Sequence, residues 1–249
     1  MKLVRRITSA PQPALDILDS ESGTSEQLLL KKGDALSFHL SEQHYCVSCF
    51  KEIISGSECY ECGIANTWKI CLQCDGHKCL QYDENLLEAC FGGKYCVYLA
   101  LFGENVKAGV SREDRLEQRL AEQGADWGVK VFTGFNGKQA RYVESMLFAK
   151  GLLERVYAFQ KLEWMAQKPS TEKLLQAREK AKLLSEFKAN FVEEELMDLA
   201  ASYEIPPGPL VKANALNGVV VGWKGPIVFL ERSGTRAFAL GKALGRAVE

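Results

Sequence analysis

The chain has 249 residues, of which 47% are hydrophobic and 25% are charged, and its formal net charge is -1. These proportions exclude a disordered chain, and the near-neutral charge excludes binding of nucleic acid over the whole surface, so that any such binding needs a local patch. No apolar run is long enough to span a bilayer, and Met1–Arg6 lacks the apolar core of a secretion signal. We therefore expect a cytoplasmic protein without a membrane partner.

The first 45 residues show strand patterns. The apolar run Leu28–Leu30 precedes Gly33, and Ala35–Leu40 then alternates between apolar and polar residues. We predict a small sheet that supports the segment that follows.

Eight of the nine cysteines lie between residues 46 and 90, and most of them form pairs with a two-residue gap. Two thiolates at that spacing can reach one tetrahedral ion from a tight turn, and soft sulfur ligands favour zinc. In a chain without a secretion signal, this spacing favours metal over disulfides. The simplest assignment is sequential, with two structural zinc ions: Cys46, Cys49, Cys59 and Cys62 bind one, and Cys71, Cys74, Cys79 and Cys90 bind the other. An interleaved assignment and an iron–sulfur cluster are the alternatives.

Other candidate ligands lie close to these cysteines. His44 and His77 have the position to replace a cysteine on an ion, but we favour surface or supporting roles for both. Cys96 lies inside a strand pattern, which predicts a buried free thiol.

Residues 94–160 contain the strongest structural pattern. The apolar segments Tyr95–Ala100 and Val106–Ser111 are joined by a short loop that contains Gly103. Two apolar strands with such a loop predict a β-hairpin.

Helical patterns follow the hairpin. The first runs over Arg112–Gln123, with Ser111 and Asp114 at the spacing of an N-terminal capping box and with Gly124 at its end. A second helical pattern contains Glu144 beside an apolar stripe, so this carboxylate is expected at the edge of the core.

This order resembles the GIY-YIG nuclease domain, in which a hairpin carries two short motifs, one helix carries an arginine and a later helix carries a metal-binding glutamate. Cys96-Val97-Tyr98 stands in the place of Gly-Ile-Tyr, and Lys107-Ala108-Gly109 in that of Tyr-Ile-Gly. Arg119 matches the arginine, slightly later than usual, and Glu144 matches the glutamate. The chain departs from the motifs at Cys96 and Lys107.

The resemblance implies a metal-dependent site that cleaves phosphodiesters with Tyr98, Lys107, Arg119 and Glu144. Glu144 would bind Mg or Mn. The alternative for this carboxylate is a salt bridge to Arg119 or Lys107. Tyr98 would deprotonate or orient the attacking water, and Lys107 would favour its phenolate form. Arg119 would stabilise charge on the phosphate in the transition state.

The same surface has the residues of a binding patch. Its cations are Lys107, Arg112, Arg115 and Arg119. Cations beside an aromatic side chain bind phosphates and stack on bases. The alternative is a mixed-charge helix, because Glu113, Asp114 and Glu117 interleave with the arginines.

A second resemblance covers most of the chain. Val97–Ala100, Lys107–Arg112 and Arg119 followed by Gln123–Ala125 are similar to an uncharacterised bacterial and archaeal family, domain of unknown function 2797. The upstream cysteine pairs and Gly222–Gly225 also resemble it. This resemblance implies an architecture rather than an activity.

The remaining residues return from helix to strand. A helix is expected after Ser170, and a second helix is expected to contain Leu196 and Leu199. Pro206–Pro209 predicts a break. Beyond it, strand patterns predict a hairpin that completes one β-module with the N-terminal strands, because neither end buries enough area alone.

Together these patterns predict an α+β protein with five segments: an N-terminal β segment (1–45), a Cys-rich zinc module (46–93), a GIY-YIG-like domain (94–160), a helical segment (161–204) and a C-terminal β segment (205–249). The leading functional hypothesis is a zinc-containing protein that binds nucleic acid, DNA or RNA, and carries a nuclease-like cleaving site. The alternatives are a non-catalytic RNA- or ribosome-associated protein with a degenerate nuclease fold, and a zinc-stabilised protein–protein adaptor.

Overall fold

The computed structural model describes residues 1–153, 164, 167–206 and 211–248. The chain forms two compact units, and its mixed helices and sheets confirm the predicted α+β class. The first unit comprises Met1–Ala65, Ala121–Gly124 and Ser202–Glu249, and the second comprises Asn66–Leu120 and Ala125–Ala201. The boundary predicted at residue 160 and most of the predicted break at Pro206–Pro209 lie outside the described residues.

The first unit contains two sheets. In spatial order, the first sheet consists of β3 (Ser25–Leu29), β2 (Ala14–Asp19), β1 (Lys2–Thr8), β15 (Arg246–Val248), β5 (Leu40–Tyr45) and β6 (Glu52–Ile53). The second consists of β11 (Val211–Lys212), β14 (Thr235–Ala239), β13 (Ile227–Glu231), β12 (Leu216–Lys224) and β4 (Ala35–Phe38). Each sheet combines strands from both ends of the chain, since β15 pairs with β1 and β5 while β12 pairs with β4.

In the described part of the second unit, four strands form an antiparallel sheet. Its strands are, in spatial order, β10 (Met197–Asp198), β9 (Trp127–Phe135), β7 (Tyr95–Phe102) and β8 (Asn105–Arg112). β7 and β8 form a hairpin that pairs continuously from Tyr95↔Arg112 to Phe102↔Asn105. β9 is absent from the sequence-based prediction, and it makes β7 a central strand.

The α-helices are α1 (Tyr60–Ala65), α2 (Trp68–Gln73), α3 (Glu84–Gly92), α4 (Leu116–Gln123), α5 (Gly137–Ala149) and a helix at Thr171–Lys182. Short 3-10 helices occur at Glu113–Arg115, Ser185–Asn190, Ala200–Ser202 and Leu240–Ala243. Among the described helices, none has the length and apolar character needed to cross a membrane.

α5 begins with a complete capping box. The Asn136 side chain accepts the Gln139 N–H at 2.9 Å, and the Gln139 side chain accepts the Asn136 N–H at 3.0 Å. This reciprocal pair satisfies two backbone donors that the helix itself leaves unpaired. The predicted apolar stripe, Ala140, Val143 and Leu147, is fully buried and so is confirmed.

Two predicted helical features are wrong. First, Ser111 belongs to β8, and α4 begins only at Leu116 after a 3-10 turn, so the expected capping box is not formed. The other end of α4 is as expected, because Gly124 has a left-handed φ of 72°. The second helix, expected around Leu196 and Leu199, is replaced by β10. β10 pairs with β9, because an open strand edge offers backbone donors and acceptors that outweigh a weak helical pattern.

Candidate metal centre and hairpin site

Four cysteines converge in the first unit. The sulfur atoms of Cys46, Cys49, Cys59 and Cys62 all lie within 4.8 Å of one another, and those of Cys49 and Cys59 are 3.7 Å apart. Zinc–sulfur bonds of about 2.3 Å in a tetrahedron place sulfurs about 3.8 Å apart. The four thiols therefore fit one metal ion with small movements, and the grouping matches the sequential rather than the interleaved assignment.

The first pair is held by a tight turn that follows β5. The Phe50 N–H donates to the Cys46 carbonyl and the Cys46 N–H donates to the Lys51 carbonyl, both at 2.8 Å. Phe50 has a positive φ of 64°, which closes the turn. The Val47 N–H also donates to the Ser57 carbonyl at 2.8 Å, so this turn is tied to the segment that carries the second pair.

The second pair lies at the start of α1. The Gly63 N–H donates to the Cys59 carbonyl at 2.8 Å, and the Cys62 N–H points to the Cys59 sulfur at 3.5 Å. These backbone contacts fix the turn that brings the two sulfurs of the pair to the same side.

The charges of the four thiols are interdependent. Burial raises the pKa of Cys46, but backbone N–H groups of Cys59, Cys49 and Ser48 outweigh it and lower the pKa to about 6. The pKa of Cys62 is raised by its hydrogen bonds with the neighbouring thiols. One thiolate is thus stabilised by the backbone, whereas further thiolates beside it require a cation, which a bound metal supplies.

The histidines occupy other positions. His44 Nδ1 lies 3.1 Å from the Gly56 carbonyl, and the ring of His77 packs edge-on against Tyr142 with centroids 4.8 Å apart. Cys96 is a buried free cysteine, which confirms its predicted fate, and burial raises its pKa to about 12.

The remaining cysteines line one cavity of ≈ 40 Å³ in the second unit: Cys71, Cys74, Cys79 and Cys90. Their sulfurs are less closely grouped, because within the described part of the chain only the Cys46 set has three or more candidate ligand atoms all within 4.8 Å of one another. The second metal ion therefore stays a prediction.

Strand pairing decides which residues of the hairpin share a face. Tyr98 pairs with Gly109 and Ala100 pairs with Lys107, and since side chains alternate along a strand, Tyr98 and Lys107 point to the same face. The Tyr98 ring lies across Gly109, where a Cβ would be 2.4 Å from the phenol oxygen. Tyr98 is consequently only 1% exposed.

Helices cover the two faces of this sheet. On the Tyr98 face, Leu120 of α4 packs against Gly128, where an added Cβ would be 2.2 Å from a Leu120 methyl. On the opposite face, Val143 of α5 belongs to the same buried cluster as Leu99 and Val129. Arg119 and Glu144 therefore come from helices on opposite faces of the sheet.

These two side chains act on the same lysine. Lys107 lies on β8, which is an edge strand of the sheet. Burial lowers the pKa of Lys107 below 10.5, Glu144 raises it and Arg119 lowers it. Both charges thus influence Lys107. Arg119 is exposed, and Lys107 and Glu144 are half-buried.

A model described as "Protein of unknown function (DUF2797)" matches residues 33–238. The chain belongs to this family. The match includes both cysteine sets and the hairpin, and no curated protein or solved structure matches the chain.

Two further arginines of this DUF2797 protein lie beside the hairpin. Arg112 makes a two-pronged ion pair with Asp114, at 3.0 Å and 2.8 Å, and both residues are exposed. Arg115 Nε donates to the Gln118 side chain at 3.4 Å. Local partners of this kind are those expected of a mixed-charge surface, so the predicted role of Arg112 and Arg115 in binding stays a prediction.

Sequence reasoning missed two positions that shape these sites. Gly109 has no side chain, and the Tyr98 ring occupies the space beside it. The sequence signal for this contact was a glycine inside a strand, opposite an aromatic residue. Burial raises the pKa of Cys90, and Arg141, which lines the second cysteine cavity, opposes this shift. No local pattern connects the two residues.

Proposed function

We propose that this protein binds nucleic acid at β8 and cleaves a phosphodiester there with one divalent metal ion. The observation that carries the proposal is the position of Lys107 on the edge strand β8, where α4, which carries Arg119, and α5, which carries Glu144, pack on the two faces of the same sheet. Both charges influence the pKa of Lys107. Their elements follow one another in the order of the GIY-YIG domain: hairpin, helix with arginine, helix with glutamate.

Each charge has a distinct role. Glu144, a half-buried carboxylate, is a suitable ligand for Mg or Mn, which would polarise a phosphate oxygen. Arg119 is exposed, so its guanidinium can reach the phosphate and stabilise charge in the transition state. Lys107 adds a partly desolvated cation beside them, where its attraction for a phosphate is stronger than in water.

Zinc has a separate, structural role in this proposal. The Cys46 set offers four thiolates to one ion and so leaves no open coordination position. Zinc at this site stabilises the fold of the first unit rather than taking part in catalysis.

One observation favours a second candidate function. Tyr98 is buried across Gly109, so its hydroxyl has little access to an attacking water, and lysine stands in place of the second motif tyrosine. The same cations would then serve a non-catalytic protein associated with RNA or the ribosome, held by phosphate contacts alone.

Cleavage of a labelled panel of single- and double-stranded DNA and RNA, with Mg or Mn, tests the first candidate. Glu144→Gln keeps the shape of the side chain and removes its charge, whereas Glu104→Gln makes the same change at an exposed position in the turn between β7 and β8. We expect cleavage that Glu144→Gln abolishes and Glu104→Gln retains. Cleavage that survives in Glu144→Gln would contradict the metal role of Glu144.

Binding to the same panel tests the second candidate. We expect Arg119→Gln to weaken binding and to reduce the slope of log affinity against log salt by about 1, as loss of one phosphate contact does. Arg232→Gln, at an exposed position of the first unit, is the control. Binding without cleavage would identify the non-catalytic function, and the absence of both would refute both candidates.

A further inference from the structure

The second cysteine set surrounds a cavity next to α5. Cys71 lies in α2, Cys74 and Cys79 lie in the loop that follows, and Cys90 lies in α3. All four line the same cavity, together with Gly137 and Arg141 of α5.

The cysteine-bearing segments make close backbone contacts with α5. At Gly76, in the loop between Cys74 and Cys79, an added Cβ would lie 2.2 Å from the Tyr142 nitrogen and 2.6 Å from the Lys138 oxygen. At Gly137, an added Cβ would lie 2.7 Å from the Cys90 sulfur. Glycine at these two positions lets the loop and α3 lie directly on the first turns of α5.

Apolar packing does not explain why these segments hold their shape. α2 has six residues and α3 has nine, and neither has a buried residue. Leu72, Leu80 and Tyr82 are all more than half exposed. Isolated helices shorter than about 12–15 residues are marginal in water, so α2 and α3 depend on contacts beyond their own backbones. The Asp83 side chain that caps α3 is one of these contacts.

A hydrogen-bond donor and a positive charge lie beside the sulfurs of this set. Gln81 Nε2 donates to the Cys71 sulfur at 3.1 Å, and the Gln81 side-chain oxygen accepts the Asp83 N–H at 3.0 Å, which fixes the amide. Arg141 brings a positive charge to the cavity that Cys90 also lines. Amide donors and cations next to sulfur are typical of metal-bound thiolates.

We propose that Cys71, Cys74, Cys79 and Cys90 bind a second metal centre that holds α2 and α3 on α5. The centre uses four thiolates and releases their protons on binding. A zinc ion would draw the four sulfurs closer than they now lie, whereas an iron–sulfur cluster, built from iron and inorganic sulfide, would fill the cavity at wider sulfur separations. The proposal is independent of nucleic-acid cleavage.

Metal and sulfide analysis of the full chain, purified without oxygen, tests the proposal. We expect two centres per chain, either two zinc ions or one zinc ion with iron and acid-labile sulfide, and the sulfide content distinguishes these outcomes. Cys71→Ser/Cys74→Ser should lose one centre, and the matched variant Cys46→Ser/Cys49→Ser should lose the other. A wild-type protein with a single zinc ion and no iron would overturn the proposal, whatever the variants do.

Hydrogen–deuterium exchange tests the effect on α5. We expect the amides of α5 to exchange faster in Cys71→Ser/Cys74→Ser and at the wild-type rate in Cys46→Ser/Cys49→Ser. If Cys71→Ser/Cys74→Ser does not fold, the same comparison is made on the wild-type chain before and after removal of metal by a chelator. Unchanged exchange in α5 after loss of the second centre would refute its role in holding this helix.

Discussion

Replacement of Gly109 by alanine would place a methyl group too close to the phenol end of the Tyr98 side chain. The new Cβ would lie 2.4 Å from the phenol oxygen, 2.5 Å from Cζ and 3.0 Å from Cε1, whereas ordinary contacts are 3.4–4 Å. The ring is buried, so it has little room to move away. Because φ of Gly109 is not in the left-handed region, the clash alone decides the outcome.

The expected cost follows from this overlap. Overpacking in a buried site costs about 1–3 kcal/mol, and the smaller unfolded-state entropy of alanine offsets about 0.4–1 kcal/mol of it. A net loss of about 1–2 kcal/mol lowers Tm by about 2–8 °C in a chain of this size. Thermal unfolding followed by circular dichroism, with both proteins saturated with zinc, measures the difference.

Two further variants make the comparison decisive. Gly92→Ala, at the end of α3, adds a methyl group where no atom lies within 4 Å, so we expect no loss of stability. Tyr98→Leu removes the atoms that the new methyl group meets, so Gly109→Ala should cost less in the Tyr98→Leu background than in the wild type. If Gly109→Ala melts like the wild type, or if its cost is the same in both backgrounds, the placement of Tyr98 is wrong.

Three other perturbations test separate parts of the structure. Asp126 is 2% exposed and accepts the Gly103 N–H at 2.8 Å. Asp126→Ala leaves this donor without that acceptor and should lower the free energy of unfolding by about 1–3 kcal/mol. Asp126→Asn keeps a side-chain oxygen, so it should lower the free energy of unfolding by less. Equal losses for the two variants in urea unfolding would refute the hydrogen bond. Because Glu144 raises the pKa of Lys107 and Arg119 lowers it, Glu144→Gln should move that pKa further below 10.5 and Arg119→Gln should move it upward. NMR of the ¹³C-methylated lysines, with the exposed Lys188 as internal control, measures both shifts, and an unmoved Lys107 would disprove the influence of both charges on it. Since zinc binds thiolates, protons compete with it, and zinc should be released as the pH falls. Cys49→Ser should release zinc at a higher pH than Ser48→Ala, which is a neighbouring change that keeps all four sulfurs. A colorimetric zinc indicator measures the pH of release. The same release pH for both variants would exclude Cys49 as a ligand.

The hairpin shows what local patterns can predict. β7 and β8 are readable from the sequence because their apolar residues are continuous and a glycine-containing loop separates them. β9 was missed because Gly128, Lys130 and Gly134 interrupt its apolar residues. It is a strand because β7 offers it a partner, and β10 is a strand for the same reason.

The charges at β8 show what local patterns cannot predict. The family resemblance assigns Arg119 and Glu144, and a salt bridge of Glu144 to Lys107 or Arg119 is the alternative. No local pattern indicates that both side chains influence Lys107. Their interaction follows from the packing of α4 and α5 on opposite faces of one sheet.

The two cysteine sets separate what the local sequence determines from what the tertiary structure determines. By itself the sequence determined the tight turns, since a two-residue gap brings both sulfurs of a pair to one side of a turn whatever the rest of the chain does. Only the tertiary structure decided how far apart the pairs lie. In the first set, backbone hydrogen bonds such as that from Val47 to Ser57 bring the two turns together, and the four sulfurs meet within 4.8 Å. In the second set, Cys90 belongs to a separate helix packed on α5, so the sulfurs surround a cavity instead.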